Sequence, residues 1–229
     1  MKDVKRILMA VTAMVSFTTS CCLRGDYSPY RGKEYLYYSD DIVDNCIEKP
    51  MAMLDFVLMV KNKVSGPIEN GTYIVADDAD NKIGPFECRV EGSDTVWYAD
   101  NIGYIISQSD VDKNTWVVRR DDSISGVSGW DYLYKYTLTA AMSSEYDSAL
   151  AHQTWDISIQ GERFEKSDYS LSYCSEGLMT IMWNYPNAYY TNCTINGVLD
   201  VSFRKNGKEK DWLKALYQDG DSHYQTSFR

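Results

Sequence analysis

The sequence predicts an all-β fold, an antiparallel β-sandwich, possible as two small β subdomains, with short helical pieces. Three observations predict it. Apolar residues recur at every second position in one segment after another, turn formers separate those segments at short intervals, and the chain holds 19 Tyr, 6 Trp and 6 Phe. Period two is the mark of a strand with one buried face. Aromatic side chains suit the half-buried pleated surface such strands present.

Before the strands comes an export segment. Lys2, Lys5 and Arg6 form a basic head, the run from Ile7 to Phe17 is apolar, and Thr18-Thr19-Ser20-Cys21 follows with a small residue before the cysteine. The apolar run is too short to span a bilayer, which takes about 20 residues. The pattern predicts a lipoprotein signal peptide over residues 1–20, with Cys21 as the lipid attachment site. Ordinary secretion with cleavage near Ser20 is the alternative, and Cys22 fits less well than Cys21. Residues 21–40 read as a tether rich in turn formers, and residues 41–229 as the β-sandwich domain.

Within that domain, Asp41 to Lys49 suits one or two helical turns, which Pro50 is expected to stop. From Met51, the alternation of Leu54, Phe56, Leu58 and Val60 predicts a strand; a helix would have to survive Pro50 and Pro67 at its flanks. Further strands are predicted at Thr72–Ala76, Phe86–Val90, Val96–Tyr98, Gly103–Gln108 and Thr115–Arg119. Tyr132, Tyr134, Tyr136 and Leu138 form the next alternation, and Trp155, Ile157 and Ile159 the one after. Tyr169–Cys174 and Leu178–Asn184 flank Ser175-Glu176-Gly177, a hairpin signal. Asn196-Gly197 and Asn206-Gly207 each predict a tight hairpin. Ala140–His152 is read as a short helix or a loop.

Charge excludes some functions. The whole chain carries −10, and removal of residues 1–20, with three basic residues and one acidic, takes this to −12. Such a surface repels phosphate backbones and anionic lipid, so no nucleic acid is expected as a partner and membrane contact is assigned to the lipid. His152 and His223 are the only histidines. With no Gly-x-Ser-x-Gly elbow in the chain, histidine-dependent catalysis has little to work with, and no cofactor is predicted. Cys46, Cys88, Cys174 and Cys193 remain in the body without CxxC spacing. Cys174–Cys193 is the disulfide the predicted adjacent strands favour, against a reading in which all four are small buried hydrophobes.

Two further sets of residues invite a ligand. Asp110, Asp112 and Asn114 alternate as oxygen ligands do at the start of a calcium loop, with Asp121 in the distal position. Thr115 stands where that loop needs glycine, so the bland reading is a solvated hairpin. Trp97, Tyr98, Trp130, Tyr189 and Tyr190 fall near predicted turns or strand ends, where rings can stack on the apolar faces of sugars. The bland reading places them in the core or in loop packing.

The box at Thr18–Cys21, the phrase Ile68-Glu69-Asn70-Gly71-Thr72-Tyr73 and the later Ile195-Asn196-Gly197-Val198-Leu199-Asp200-Val201 resemble uncharacterised Bacteroidetes-type cell-envelope lipoproteins with an all-β body. The resemblance implies a sandwich and an outer-membrane location, on the periplasmic or surface face, and carries no catalytic residue over. The function expected is that of a lipid-anchored envelope protein with a non-catalytic binding or structural role, its partner an envelope protein or a glycan. The alternative is a lipid-anchored glycan hydrolase using paired carboxylates.

Overall fold

Lys49–Lys63 is a helix, α1, where the alternation predicts a strand. The even positions Leu54, Phe56 and Val60 are buried, but so are Met51, Met53 and Val57. Apolar residues therefore occupy both faces of any strand through this segment, and period two does not discriminate. Met, Ala, Leu and Lys are strong helix formers, which decides the matter locally. The two prolines lie at the helix ends and do not interrupt it. Pro50 sits in the first turn, where a missing N–H costs nothing, and Pro67 follows the C-cap at Val64. Lys61 and Lys63 in the last turn complement the helix dipole.

In this computed structural model the described residues run from Asp40 to Phe228, apart from 77–81, 93, 124–131, 143–151, 166–168, 185–192, 207 and 219–220. The chain divides into two units, Met1–Asp41 and Ile42–Arg229, and every element below belongs to the second. The signal segment and Cys21 lie outside the described residues. No helix among the described residues is long and apolar enough to cross a membrane.

A π-helical turn, Asp44–Glu48, leads into α1, with the Lys49 N–H bonded back to the Asp44 carbonyl. The Tyr136 hydroxyl donates to the Asn45 carbonyl of that turn at 3.2 Å. Pro50 was expected to stop the preceding turn; the wider π register lets the chain pass it.

Twelve strands follow: β1 (Gly71–Ala76), β2 (Lys82–Glu91), β3 (Asp94–Ala99), β4 (Ile102–Gln108), β5 (Thr115–Asp121), β6 (Tyr132–Met142), β7 (His152–Glu165), β8 (Tyr169–Ser175), β9 (Met179–Asn184), β10 (Cys193–Lys205), β11 (Lys208–Gln218) and β12 (Asp221–Phe228). The all-β expectation holds. Among the described residues the strands join in one antiparallel sheet, ordered β1 to β8, then β10, β11 and β12, with β9 between β7 and β10. Successive strands pair from β1 to β8 and from β10 to β12, while β8 and β9 each pair with β7 and β10 and not with one another.

Two expected hairpins are distortions within strands. β8 and β9 pair with the same strand, β7, at Gln160↔Cys174 and Ile157↔Met179, and so continue one another in line. Ser175-Glu176-Gly177 is the irregular step between them, held by Glu176 N–H to the Val198 carbonyl at 2.9 Å. Asn196-Gly197 lies inside β10, where its partner changes from β9 to β8. Gly197 has φ +138, and a Cβ there would meet Met179 Cγ at 2.7 Å. The glycine thus serves close backbone approach to a buried methionine. Asn206 does turn a hairpin, at φ 51, between Lys205 and Lys208 in register.

One face of the sheet is the core. Ile106, Val118, Leu138 and Ile159 form one buried row across β4 to β7. Phe56 of α1 packs edge-on against Trp97 at 5.7 Å and Phe86 at 4.7 Å, tying the helix to β2 and β3. The neighbouring row reads Arg120, Tyr136, Gly161, Tyr173, Val201, Leu213. The Tyr173 ring lies over Gly161, and its hydroxyl donates to Cys46 Sγ at 3.1 Å. Arg120 is buried with Asp122 in a two-pronged pair, both contacts 2.7 Å, and stacks on the Tyr134 ring.

Two stability changes are expected. Gly161→Ala places a Cβ at 2.6 Å from both Tyr136 Cβ and the Tyr173 hydroxyl. It should cost about 1–3 kcal/mol in denaturant unfolding, by overpacking. Asp122→Ala leaves the buried Arg120 guanidinium without its partner and should cost about 3–5 kcal/mol, read from the same unfolding curves.

Candidate functional site

Side chains of the core row point toward α1, so the positions on either side of each point the other way. These alternate positions line a groove of about 640 Å³ across β5, β6, β7, β8 and β10. One register row reads Asp121, Lys135, Glu162, Ser172, Ser202. The next reads Arg119, Thr137, Gln160, Cys174, Asp200, and Arg204 stands two residues beyond Ser202 on β10. Ser172 and Ser202 are directly opposed and short, so they form a low floor. Glu162, Gln160, Lys135, Arg119 and Arg204 are long and stand around it.

Several of these charges are already committed. Arg119 Nη2 pairs with Asp94 Oδ2, Lys135 Nζ sits 3.0 Å from Asp121 Oδ2, and Asp200 lies 3.8 Å from Lys214 Nζ. Glu162 and Arg204 form no ion pair among the described residues. Burial works to raise the Asp121 carboxyl, but the Ser123 hydroxyl and the Lys135 ammonium outweigh it and hold the group below the usual carboxylate range. A proton donor for glycoside cleavage needs the opposite shift. The groove therefore offers hydroxyl, amide, carboxylate and guanidinium groups for binding. Among the described residues, no group of three or more His, Cys, Asp and Glu could hold a metal ion.

The structure separates most of the residues singled out from the sequence. Trp97 is fully buried, its indole N–H donating to Thr95 Oγ1 at 3.0 Å, so it is a core residue and cannot stack on a ligand. Tyr98 is half-buried, with the Arg89 guanidinium 4.8 Å over its ring. Trp130, Tyr189 and Tyr190 lie outside the described residues. Asp110, Asp112 and Asn114 share the β4–β5 hairpin. Asp112 bonds the Thr115 hydroxyl and the Asn114 N–H there, and these two contacts lower its carboxyl pKa. Asp121 is at the far end of β5, six residues on, about 20 Å away, so the four do not converge.

Cys174 is a free, exposed thiol on the groove wall. It lies opposite Asp200, and Cys193 is seven residues up the same strand β10. That is roughly 20 Å of extended chain, while a disulfide needs Cα atoms within about 7 Å. The two cysteines fall in neighbouring strands as expected, but Cys193 lies beside Trp183 of β9, beyond the end of β8. The remaining groove residues carry no motif; their signal is polar alternation along β5 to β10, which any solvent-facing strand shares.

Thiol chemistry checks this arrangement. Burial pushes the Cys88 thiol up to about 11, and Cys46 is fully buried. Alkylation of the native protein near pH 8 should modify Cys174 while Cys46 and Cys88 stay protected until denaturant is added. Peptide mapping without reduction should find no Cys174–Cys193 link. Comparison with protein-family models, curated proteins and solved structures finds no match to this chain.

Proposed function

We propose that this chain is a lipid-anchored envelope protein whose β body binds a polar partner without chemical change to it. The observation that carries the reading is the groove: a recessed, polar, mixed-charge surface on the sheet face opposite the helix, with Glu162 and Arg204 outside any ion pair among the described residues. Its volume lies within the range of small-ligand sites. A glycan suits it better than a folded protein, because among the described residues the outward-facing side chains of the lining include no aromatic anchor of the kind that dominates protein interfaces. The export segment and Cys21 support the location, and the acidic body supports a lipid anchor over a basic membrane-binding face.

The two halves of the proposal are tested separately. Cys21→Ala should leave an unprocessed or soluble product, and normal maturation with membrane fractionation of that variant would sink the anchor. For the body, glycan binding without turnover is expected. Release of shorter sugars from any polysaccharide, abolished by Glu162→Gln, would replace binding with hydrolysis.

A further inference from the structure

Resting on the binding reading above, we propose that the groove takes an acidic oligosaccharide of two or three units, with a single terminal uronic acid whose carboxylate is held by Arg204 and neutral sugars for the rest. The charges already paired in the groove narrow the ligand. Arg119 is paired with Asp94 and Lys135 with Asp121, which leaves Arg204 as the groove's one cation without an ion pair among the described residues. A planar guanidinium matches a carboxylate with two parallel hydrogen bonds, which a lysine cannot do. One cation without an ion pair among the groove's described residues, on a protein of net charge −10, suits a single negative group; a multiply charged phosphate would meet repulsion from the rest of the surface.

The rest of the groove wants hydroxyls. Glu162 is an acceptor without an ion pair, Gln160 offers both donor and acceptor, and Ser172 and Ser202 present paired hydroxyls on the floor. Glu162 and Arg204 stand two strands apart and two residues out of row. Their Cα atoms are thus separated by about 12 Å, from strand spacing and rise. That span exceeds a single sugar ring and fits two or three linked ones. A ligand with one end anionic and its body rich in O–H donors satisfies every uncommitted group. An apolar ligand would leave Glu162 and Arg204 desolvated and unpaired.

The test uses the full-length protein in mild detergent. Calorimetry is run with trimers of neutral hexoses ending in a single galacturonate, glucuronate or mannuronate, and with wholly neutral hexose trimers. At least one uronate-ended trimer should bind with Kd below about 1 mM and at least about ten-fold tighter than the neutral ones. Arg204→Gln should weaken it by about ten-fold or more and Arg204→Lys by less, as a two-pronged contact requires. Lys113→Gln, on the exposed β4–β5 hairpin, should leave binding within about two-fold, a surface charge outside the groove. The bound trimer should also slow alkylation of Cys174. Absence of uronate binding, equal binding of neutral trimers, or indifference to Arg204→Gln with an unchanged melting temperature each overturns the proposal. Protection of Cys174 by neutral trimers alone overturns it too, while leaving the binding reading intact. If no trimer protects Cys174, the proposal falls, and a pull-down of envelope components then decides the broader reading by itself.

Discussion

Two tyrosine hydroxyls fasten the helix to the sheet, and much else follows from that contact. Tyr136 donates to the Asn45 carbonyl, five residues before Pro50, and Tyr173 donates to Cys46 Sγ in the same π turn. Burial raises the pKa of both phenols well above the ordinary value, so they stay protonated as donors. The Tyr173 ring can lie where it does because residue 161, between Tyr136 and Tyr173 in the register row, has no side chain. A proline, a glycine and two tyrosines from four elements thus make one joint. None of them is informative alone.

The same joint fixes the groove. Gly161 stands between Gln160 and Glu162, Tyr173 between Ser172 and Cys174, and Val201 between Asp200 and Ser202. Because successive side chains on a strand point to opposite faces, the backbone that anchors the helix on one side carries the groove on the other. Locking the inner residues by packing holds the outer ones in position without loops. A site built on paired strands in this way keeps its polar groups in place before any ligand arrives, and so loses less entropy on binding. The deep inner face also explains why the floor residues on the outside can be as small as serine: stability is supplied from the other side of the sheet.

The strands were legible because most alternate cleanly. Trp116, Val118 and Arg120 face in while Val117, Arg119 and Asp121 face out, and the turns at Asp100-Asn101 and Asn206 adopt the positive φ their residue types favour. The helix was not legible as such, since Met51 to Val60 is apolar on every face and the prolines read equally as breakers or as end marks. Asn196-Gly197 misled for a related reason. The pair signals positive φ, and Gly197 has it, but the backbone uses it to clear Met179 while β10 changes partners. Local sequence specifies a dihedral angle, and only tertiary contact decides what that angle is for. The groove was hidden more completely, because polar outward positions are the rule on any solvated sheet and become a site only when register sets Ser172 against Ser202 among longer neighbours.

The aromatic excess shows how a composition signal can point to packing and away from a site. Trp97, Tyr104, Trp116, Tyr134, Tyr136, Trp155 and Tyr173 are all buried. A fifteen-residue helix is small beside a twelve-stranded sheet, and large rings fill more of the sheet's inner face than aliphatic side chains of the same number could. Rings engaged in that way are not free to stack on a sugar. Hydrogen-bonding and charged groups line the outer face instead, Arg204 and Glu162 among them. The two faces therefore differ chemically as well as geometrically: among the described residues the inner face is filled by these aromatic rings, and the groove is lined by charged groups and hydroxyls.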